Sequence, residues 1–460
     1  MASRRRLVVV SNRLPVRRVR RGGSTAWEQS PGGLVTALAP ILKSARGAWI
    51  GWAGGSGRAP APFTLEGVRY TPVSLSRGQL EDFYEGFSNR TLWPLYHDAV
   101  RAPEFRRRWW WPYVDVNRKY AEAAAATAKR GDLVWVHDYH LQLVPAMLRE
   151  LRPDVRIAFF LHIPFPPDEL FAHMPWRSQI IEGLLGADLI GFQTPTGVRH
   201  FMATARRVAG VHGSRGTLST GGRHVRVGAY PISIDLAAFD RLARAPETAA
   251  RLHRLRVRLG RDRRVILGVD RLDYSKGIDA RLKAVAELLT SGRATPADTV
   301  FVQVAVPSRE SVKEYAELRE EVERLVGRIN GEFGEPGLAP VHYLHRGLPQ
   351  AELVSHYLAA DVMLVTPFRD GMNLVAKEYV ACRTDDTGAL VLSEFAGAAH
   401  ELKAALMVNP HDVDGLAAGI DAALHMPHAE GARRMRSLRR AVRHNTVFDW
   451  ADEYLGAAWS

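Results

Sequence analysis

Short, nearly unbroken apolar runs alternate with longer stretches of helical periodicity along the whole chain. The runs Leu7–Val10, Trp49–Trp52, Leu133–Val136, Arg156–Leu161, Leu189–Phe192 and Val225–Val227 predict strands in the first half. Val265–Val269, Thr299–Val304, Val341–Leu344, Val362–Val365, Ala389–Leu392 and Leu406–Val408 do so in the second. Between them, helical spacing is clearest at Leu141–Leu151, Glu247–Leu259, Glu310–Arg328 and Val413–Leu424. Strands without polar alternation, joined by helices, belong in parallel sheets covered on both faces. The expected fold class is therefore α/β, of the doubly wound kind. A chain of 460 residues exceeds one ordinary core. Pro231-Ile232-Ser233-Ile234-Asp235 ends a strand before a helical stretch and predicts a boundary there. The expected domains are 1–235 and 236–460, with the last helix free to pack back on the first. Gly51–Gly57 and Ser214–Gly222 read as loops.

In open α/β sheets ligands collect at the carboxyl ends of strands, so the residues just past each strand are the candidates for chemistry. In the second half, Gly268-Val269-Asp270-Arg271-Leu272-Asp273-Tyr274-Ser275-Lys276-Gly277 places two cations, Arg271 and Lys276, on one loop. A guanidinium fork and an ammonium point charge suit a diphosphate. Asp370-Gly371-Met372-Asn373-Leu374-Val375 opens a helix whose first N–H groups can meet an anion. Glu378, further into that helix, can reach vicinal hydroxyls. Diphosphate, sugar and ribose together describe a sugar nucleotide.

In the first half, Arg13 follows the first strand and suits an anion, and Pro31-Gly32-Gly33-Leu34 allows close backbone approach. Asp138, in His137-Asp138-Tyr139-His140, can bond a hydroxyl or act as a base. His162 is fixed at a strand end by the prolines of His162-Ile163-Pro164-Phe165-Pro166. The His137/His140 spacing lacks the Glu and the i,i+4 geometry of a zinc helix. Asp412-Val413-Asp414 is explained as a helix N-cap. Arg106-Arg107-Arg108-Trp109-Trp110-Trp111 is expected to be a helix with a buried aromatic face and solvated arginines. No metal site is expected. Neither a P-loop nor a Gly-x-Gly-x-x-Gly motif follows a strand, which removes the main support for kinase and dinucleotide readings.

The balance of 62 basic against 49 acidic residues gives +13. The excess is scattered arginine with acids interleaved, so it reads as attraction for phosphorylated small molecules and not as a nucleic-acid stripe. A single cysteine, Cys382, excludes a disulfide framework and a cysteine zinc cluster, and suits a cytoplasmic protein. The basic start is followed by only four apolar residues before Ser11, too few for a secretory signal. No stretch reaches membrane-spanning length free of charge.

Taken jointly, these segments resemble the trehalose-6-phosphate synthases, retaining glycosyltransferases of the two-Rossmann-domain (GT-B) type. The resemblance rests on Val10–Arg13, Phe87-Ser88-Asn89 with Leu92-Trp93-Pro94, Trp135–His140, Phe160–Pro166, Gly191–Thr194, Arg271–Gly277, Gly327–Gly331 and Arg369–Ala381, in the family's order. It implies two domains facing across a cleft, and transfer of glucose from a nucleoside diphosphate to glucose 6-phosphate with an α,α-1,1 linkage. It implies donor contacts from Arg271, Lys276, Glu378 and the backbone of Asn373, Leu374 and Val375, with Asp370 and His162 on the transferred glucose. Arg13, Tyr84, Trp93 and Arg309 would form the acceptor site, faced by Asp138. Gly32, Gly33 and Trp49 would belong to a mobile loop region beside the donor glucose, with Trp49 also counted toward the acceptor. Asp138, His162, Arg271, Lys276 and Asp370 would carry catalysis, without metal or cofactor. Partners would be a sugar nucleotide and a sugar phosphate, with neither nucleic acid nor membrane, and a homo-oligomer compatible with the sequence. UDP, GDP and ADP donors stay open, because His345-Arg346-Gly347-Leu348 stands where the family senses the base. The rival readings are a transferase with another phosphorylated acceptor, such as a glucosylglycerol-phosphate synthase or a pseudoglycosyltransferase, and a non-catalytic sugar-phosphate sensor.

Overall fold

The computed structural model describes residues 6–21, 24–29, 38–39, 41–43, 46–309 and 312–460. The chain divides into two units, Met1–Ile232 with Val447–Ser460, and Ser233–Thr446. The helix at Val447–Trp459 belongs with the first unit.

The first unit holds strands β1 (Leu7–Arg13), β2 (Val16–Arg21), β3 (Ser24–Gln29), β4 (Ala48–Trp52), β5 (Phe63–Leu65), β6 (Val68–Val73), β7 (Leu133–His137), β8 (Arg156–Phe160), β9 (Leu189–Phe192), β10 (His212–Ser214), β11 (Thr217–Thr220) and β12 (Arg223–Ala229). Ten of them form one sheet in the order β10-β11-β12-β9-β8-β7-β1-β4-β6-β5, while β2 and β3 form a separate hairpin. Its central strands run parallel, from β12 through β6, and only the edge strands β5, β10 and β11 pair antiparallel. Leu7–Val10 and Leu133–Val136 are buried throughout, as strands covered on both faces must be.

The helix Val447–Trp459 closes this unit. Trp450 and Tyr454 pack on Trp135 and Phe160. Tyr454 donates its hydroxyl to Phe159 O at 2.7 Å, and Trp450 Nε1 donates to Tyr230 O at 3.1 Å. Gly191 lies directly beneath the Tyr454 ring, leaving no room for a side chain.

The second unit is a six-stranded, wholly parallel sheet of β13 (Arg264–Arg271), β14 (Thr299–Val306), β15 (Val341–Leu344), β16 (Val362–Val365), β17 (Ala389–Ser393) and β18 (Leu406–Val408), in the order β15-β14-β13-β16-β17-β18. The order reverses at β13, between β14 and β16, which is the switch point where ligands gather in such sheets. Among the described residues, no helix is long and apolar enough to cross a membrane. Asp412 caps its helix by accepting from Gly415 N, as read from the sequence. The helix Arg107–Thr127 buries Trp109 and Trp110 and leaves Trp111 exposed.

Candidate active site

In the second unit the candidate residues gather where β13 and β16 end. β13 stops at Arg271, whose side chain is exposed. Asp273 then shapes the turn Tyr274–Lys276 by accepting from Ser275 N at 3.0 Å. Gly277 follows with φ of 65°, and a Cβ there would stand 2.6 Å from Thr366 O, so only glycine lets the loop close on β16. This closure brings Lys276 Nζ to 2.6 Å from Asp370 Oδ2, with side chains 8% and 16% exposed.

Beneath that pair lies Arg281, fully buried. It bonds Asp270 Oδ2 at 2.5 Å, Thr366 Oγ1 at 2.8 Å, Gln303 Oε1 at 3.2 Å and the Lys276 carbonyl at 2.7 Å. Arg281 thus fixes the Lys276 loop to β13, β14 and the segment just past β16.

After Asp370, Gly371 and Met372 are buried and Asn373 takes φ of 78°. Asn373 Nδ2 donates to Asp370 Oδ2 at 3.1 Å, and its Oδ1 caps Ala376 N at the start of Leu374–Cys382. The N–H groups of Leu374 and Val375 have no acceptor one turn earlier, which is the anion-binding property of a helix start. Glu378 accepts from Tyr357 Oη at 2.8 Å. Burial raises its pKa, and the Tyr357 hydrogen bond opposes that rise.

Arg309 also takes left-handed backbone, with φ of 49°. Its guanidinium, with the side chain only 5% exposed, is turned onto Asp273 Oδ2 at 3.2 Å and onto the Tyr315 hydroxyl. It is committed within its own unit in this structure.

The first unit carries a second cluster, linked ring to ring. The Arg13 guanidinium lies 5.2 Å from the Trp52 ring centre, and Trp52 lies against Tyr84 at 6.1 Å. Tyr84 stacks on His140 at 5.8 Å, His140 contacts Tyr139, and Tyr139 packs on Trp93. Tyr84 sits in Leu80–Leu92, wound as a π-helix, a form concentrated at functional sites. Trp93 is almost wholly buried and serves as the wall of this cluster.

Asp138 follows β7 with φ of 75°, and its Oδ1 accepts from His162 N at 3.2 Å. Non-glycine residues in this region store about 1–3 kcal/mol each and persist where structure imposes them. Asp138, Arg309 and Asn373 all do so in the loops that follow β7, β14 and β16. His137 Nδ1 and His162 Nε2 lie 3.0 Å apart. Burial holds the His162 ring down to about 4, and burial together with the neighbouring His162 holds His137 well below its usual value. Both rings are neutral at pH 7.

Three expectations need restating. Trp49 sits in β4, as the apolar run Trp49–Trp52 predicts, and not in the loop region the resemblance implied: it is 1% exposed and donates to Ser11 Oγ at 2.8 Å. An apolar strand with parallel neighbours on both sides buries it. Gly32 and Gly33 lie outside the described residues. Trp52, His140 and Arg281 were missed as site-building residues. Trp52 was read only as a strand end and His140 only as part of the His137–His140 motif, while Arg281, inside a helix, carried no signal of its own.

The sequence profile described as Glycosyltransferase family 20 matches residues 5–458. A trehalose-6-phosphate synthase of Mycolicibacterium gilvum is 56% identical, covering 98% of this chain and 93% of that one. A crystal structure of an α,α-trehalose-phosphate synthase (UDP-forming) from Burkholderia vietnamiensis superposes with a TM-score of 0.92 at 38% identity, covering 99% and 97% of the two chains. The Burkholderia xenovorans enzyme, solved in complex with glucose-6-phosphate, gives 0.91 at 36% identity, covering 99% and 100%.

Proposed function

We propose that this chain, which belongs to glycosyltransferase family 20, moves glucose from a nucleoside-diphosphate glucose to glucose 6-phosphate with retention, making α,α-trehalose 6-phosphate. It is a glycosyltransferase of GT-B fold. The observation that carries the reading is the second unit's constellation of Arg271, the Lys276–Asp370 pair and the Asn373-capped helix start, together with Glu378.

Arg271, Lys276 and the N–H groups of Leu374 and Val375 would hold the donor diphosphate. Glu378, oriented by Tyr357, would take the ribose hydroxyls. Asp370 would bond the transferred glucose, as would His162. Arg13, Tyr84 and Arg309 would receive the acceptor, with Trp93 as a wall and Asp138 facing its sugar.

The chemistry follows from where charge grows. As the anomeric bond breaks, the leaving diphosphate gains negative charge. Fixed cations and backbone donors stabilise that charge more than the ground state, which is what accelerates the step. A phosphate oxygen of the departing diphosphate takes the acceptor hydroxyl's proton on the same face, so no enzyme nucleophile is needed for retention. The diphosphate's charge is met here by side chains and helix N–H groups, so we expect turnover to persist in EDTA.

The test is a panel of UDP-, GDP- and ADP-glucose with glucose 6-phosphate, read by nucleoside diphosphate release and product identification. Trehalose 6-phosphate from at least one donor supports the reading. Turnover only with a different phosphorylated acceptor, or with none, overturns it.

A further inference from the structure

The second unit contains a cavity of about 430 Å3 that none of the proposed diphosphate, ribose or glucose contacts lines, although its rim includes Arg346 of the His345–Leu348 loop expected to sense the donor base. Its walls come from two helices and two strands, with Val302 of β14 among the lining residues. The helix Pro246–Leu259 contributes Arg251, Arg254 and Arg258, which recur at i, i+3 and i+7 and so share a face. β15 contributes His342 and Leu344, alternate residues on one side of the strand, with Arg346 just beyond. The helix Gln350–Ala359 contributes Glu352, Ser355 and His356, again one face.

Four guanidiniums thus surround one carboxylate. Arg346 is paired to that carboxylate, Glu352, at 3.1 Å. Among the described residues, Arg251, Arg254 and Arg258 make no salt bridge. Arg256, on another face of the same helix, bonds the Ala359 carbonyl and Asp361 Oδ2, both at 3.1 Å. Like charges at i, i+3 and i, i+4 repel along a helix, so the three cavity-facing arginines repel one another, and among the described residues neither Glu247, one turn before Arg251, nor Glu352 forms a salt bridge with them. His342 and His356 are both held toward neutrality, chiefly by burial, and add no counter-charge.

From this geometry we infer that the cavity is a binding site for a compact metabolite carrying two anionic groups, distinct from the diphosphate and ribose contacts at Arg271, Lys276 and Glu378. Two helical turns separate Arg251 from Arg258, a rise of about 10 Å. That spacing suits anions at the two ends of a small molecule better than a single phosphate. The cavity falls within the range of about 300–1,000 Å3 typical of small-molecule sites. Guanidiniums bind phosphate and carboxylate alike by paired N–H donors, so the class includes sugar bisphosphates and polycarboxylates.

The cavity and the donor site lie on different faces of one helix. Glu352, Ser355 and His356 face the cavity, while Tyr357 bonds Glu378.

The experiment is isothermal titration of the full chain with fructose 1,6-bisphosphate and, separately, with citrate, each with and without saturating UDP. We expect at least one probe to bind with UDP present. Losing two charge-assisted contacts in Arg254→Gln/Arg258→Gln should weaken that binding by at least about tenfold. Arg271→Ala should leave it intact. These arginines are exposed on a helix surface, and an unchanged Tm verifies folding. Should the double substitution unfold the chain, Arg251→Gln alone serves as the second variant. Binding of the bisphosphate alone assigns the site to phosphate esters, and binding of citrate alone assigns it to carboxylates. The proposal is overturned if neither probe binds, if UDP displaces both, or if binding is lost in Arg271→Ala and kept without Arg254 and Arg258.

Discussion

Replacing Lys276 with alanine separates a catalytic cation from a structural one. In the structure Lys276 Nζ stands 2.6 Å from Asp370 Oδ2, with both side chains largely buried. At an effective dielectric constant near 20 the attraction at that distance is about 6 kcal/mol gross, and desolvation of both charges takes back most of it. Asp370 keeps its hydrogen bond from Asn373 Nδ2 and some contact with water, so it is not stranded in the mutant. The expected stability loss is therefore only about 2 kcal/mol, the scale of one charge-assisted hydrogen bond. Catalysis should suffer more. Removing one electrostatic donor from a leaving group typically costs about 100- to 1,000-fold in turnover. Adding Asp370→Asn should return much of the lost stability, because no unpaired carboxylate remains, and should restore no turnover. The measurements are Tm and saturated-donor kinetics on the same preparations. A Lys276→Ala enzyme that melts several degrees lower yet turns over nearly as fast as the parent would refute the catalytic role.

Three further outcomes follow from the geometry. Arg281→Met leaves buried Asp270, Gln303 and the Lys276 carbonyl without their shared donor, and should cost about 3–5 kcal/mol in urea unfolding, with Arg281→Met/Asp270→Asn recovering part of it. His162 is held neutral in the fold, its pKa lowered from 6.5 to about 4, so its contribution to stability is full above pH 6.5 and is lost as pH falls toward 4. A Tm–pH profile of His162→Gln should accordingly fall less steeply over that window than the parent's, and an identical slope would show that the ring is not held neutral. Tyr357→Phe removes the hydrogen bond that opposes the raised pKa of Glu378, and should raise the donor KM by about tenfold while changing turnover little. An unchanged donor KM would remove Glu378 from the ribose.

The parallel strands were legible because burial on both faces writes them as continuous apolar runs, and Leu189–Phe192, Val341–Leu344 and Val362–Val365 have the predicted bounds. The strands that escaped lack that signature. β2 carries four arginines in six residues, and β11 lies in a stretch of Ser, Thr and Gly that reads as loop. Each pairs antiparallel with a sequence neighbour, and a single buried apolar residue such as Leu218 in β11 is too little to write an apolar run. The Arg271–Gly277 and Asp370–Glu378 segments were readable because their chemistry is contiguous in sequence. Their supports were not: Arg281 reaches Thr366, and Tyr357 reaches Glu378, only through space. Trp49 shows the opposite error, since a family role assigned to a loop says nothing about the Ser11 hydroxyl that fixes its indole inside a strand.

The helix Val447–Trp459 gives the order of synthesis a structural meaning. It is made after the whole of the second unit, yet it covers Trp135, Phe160 and Gly191 in the first unit. A growing chain therefore carries an uncovered aromatic face on its earliest sheet while the whole of Ser233–Thr446 is being translated. Domains that fold in order of emergence ordinarily finish from the N-terminus onward. Here the second unit has all its residues available before the first can close. A chain released before Val447 is left with its first unit unfinished, so closure of that unit reports that the second has already been translated.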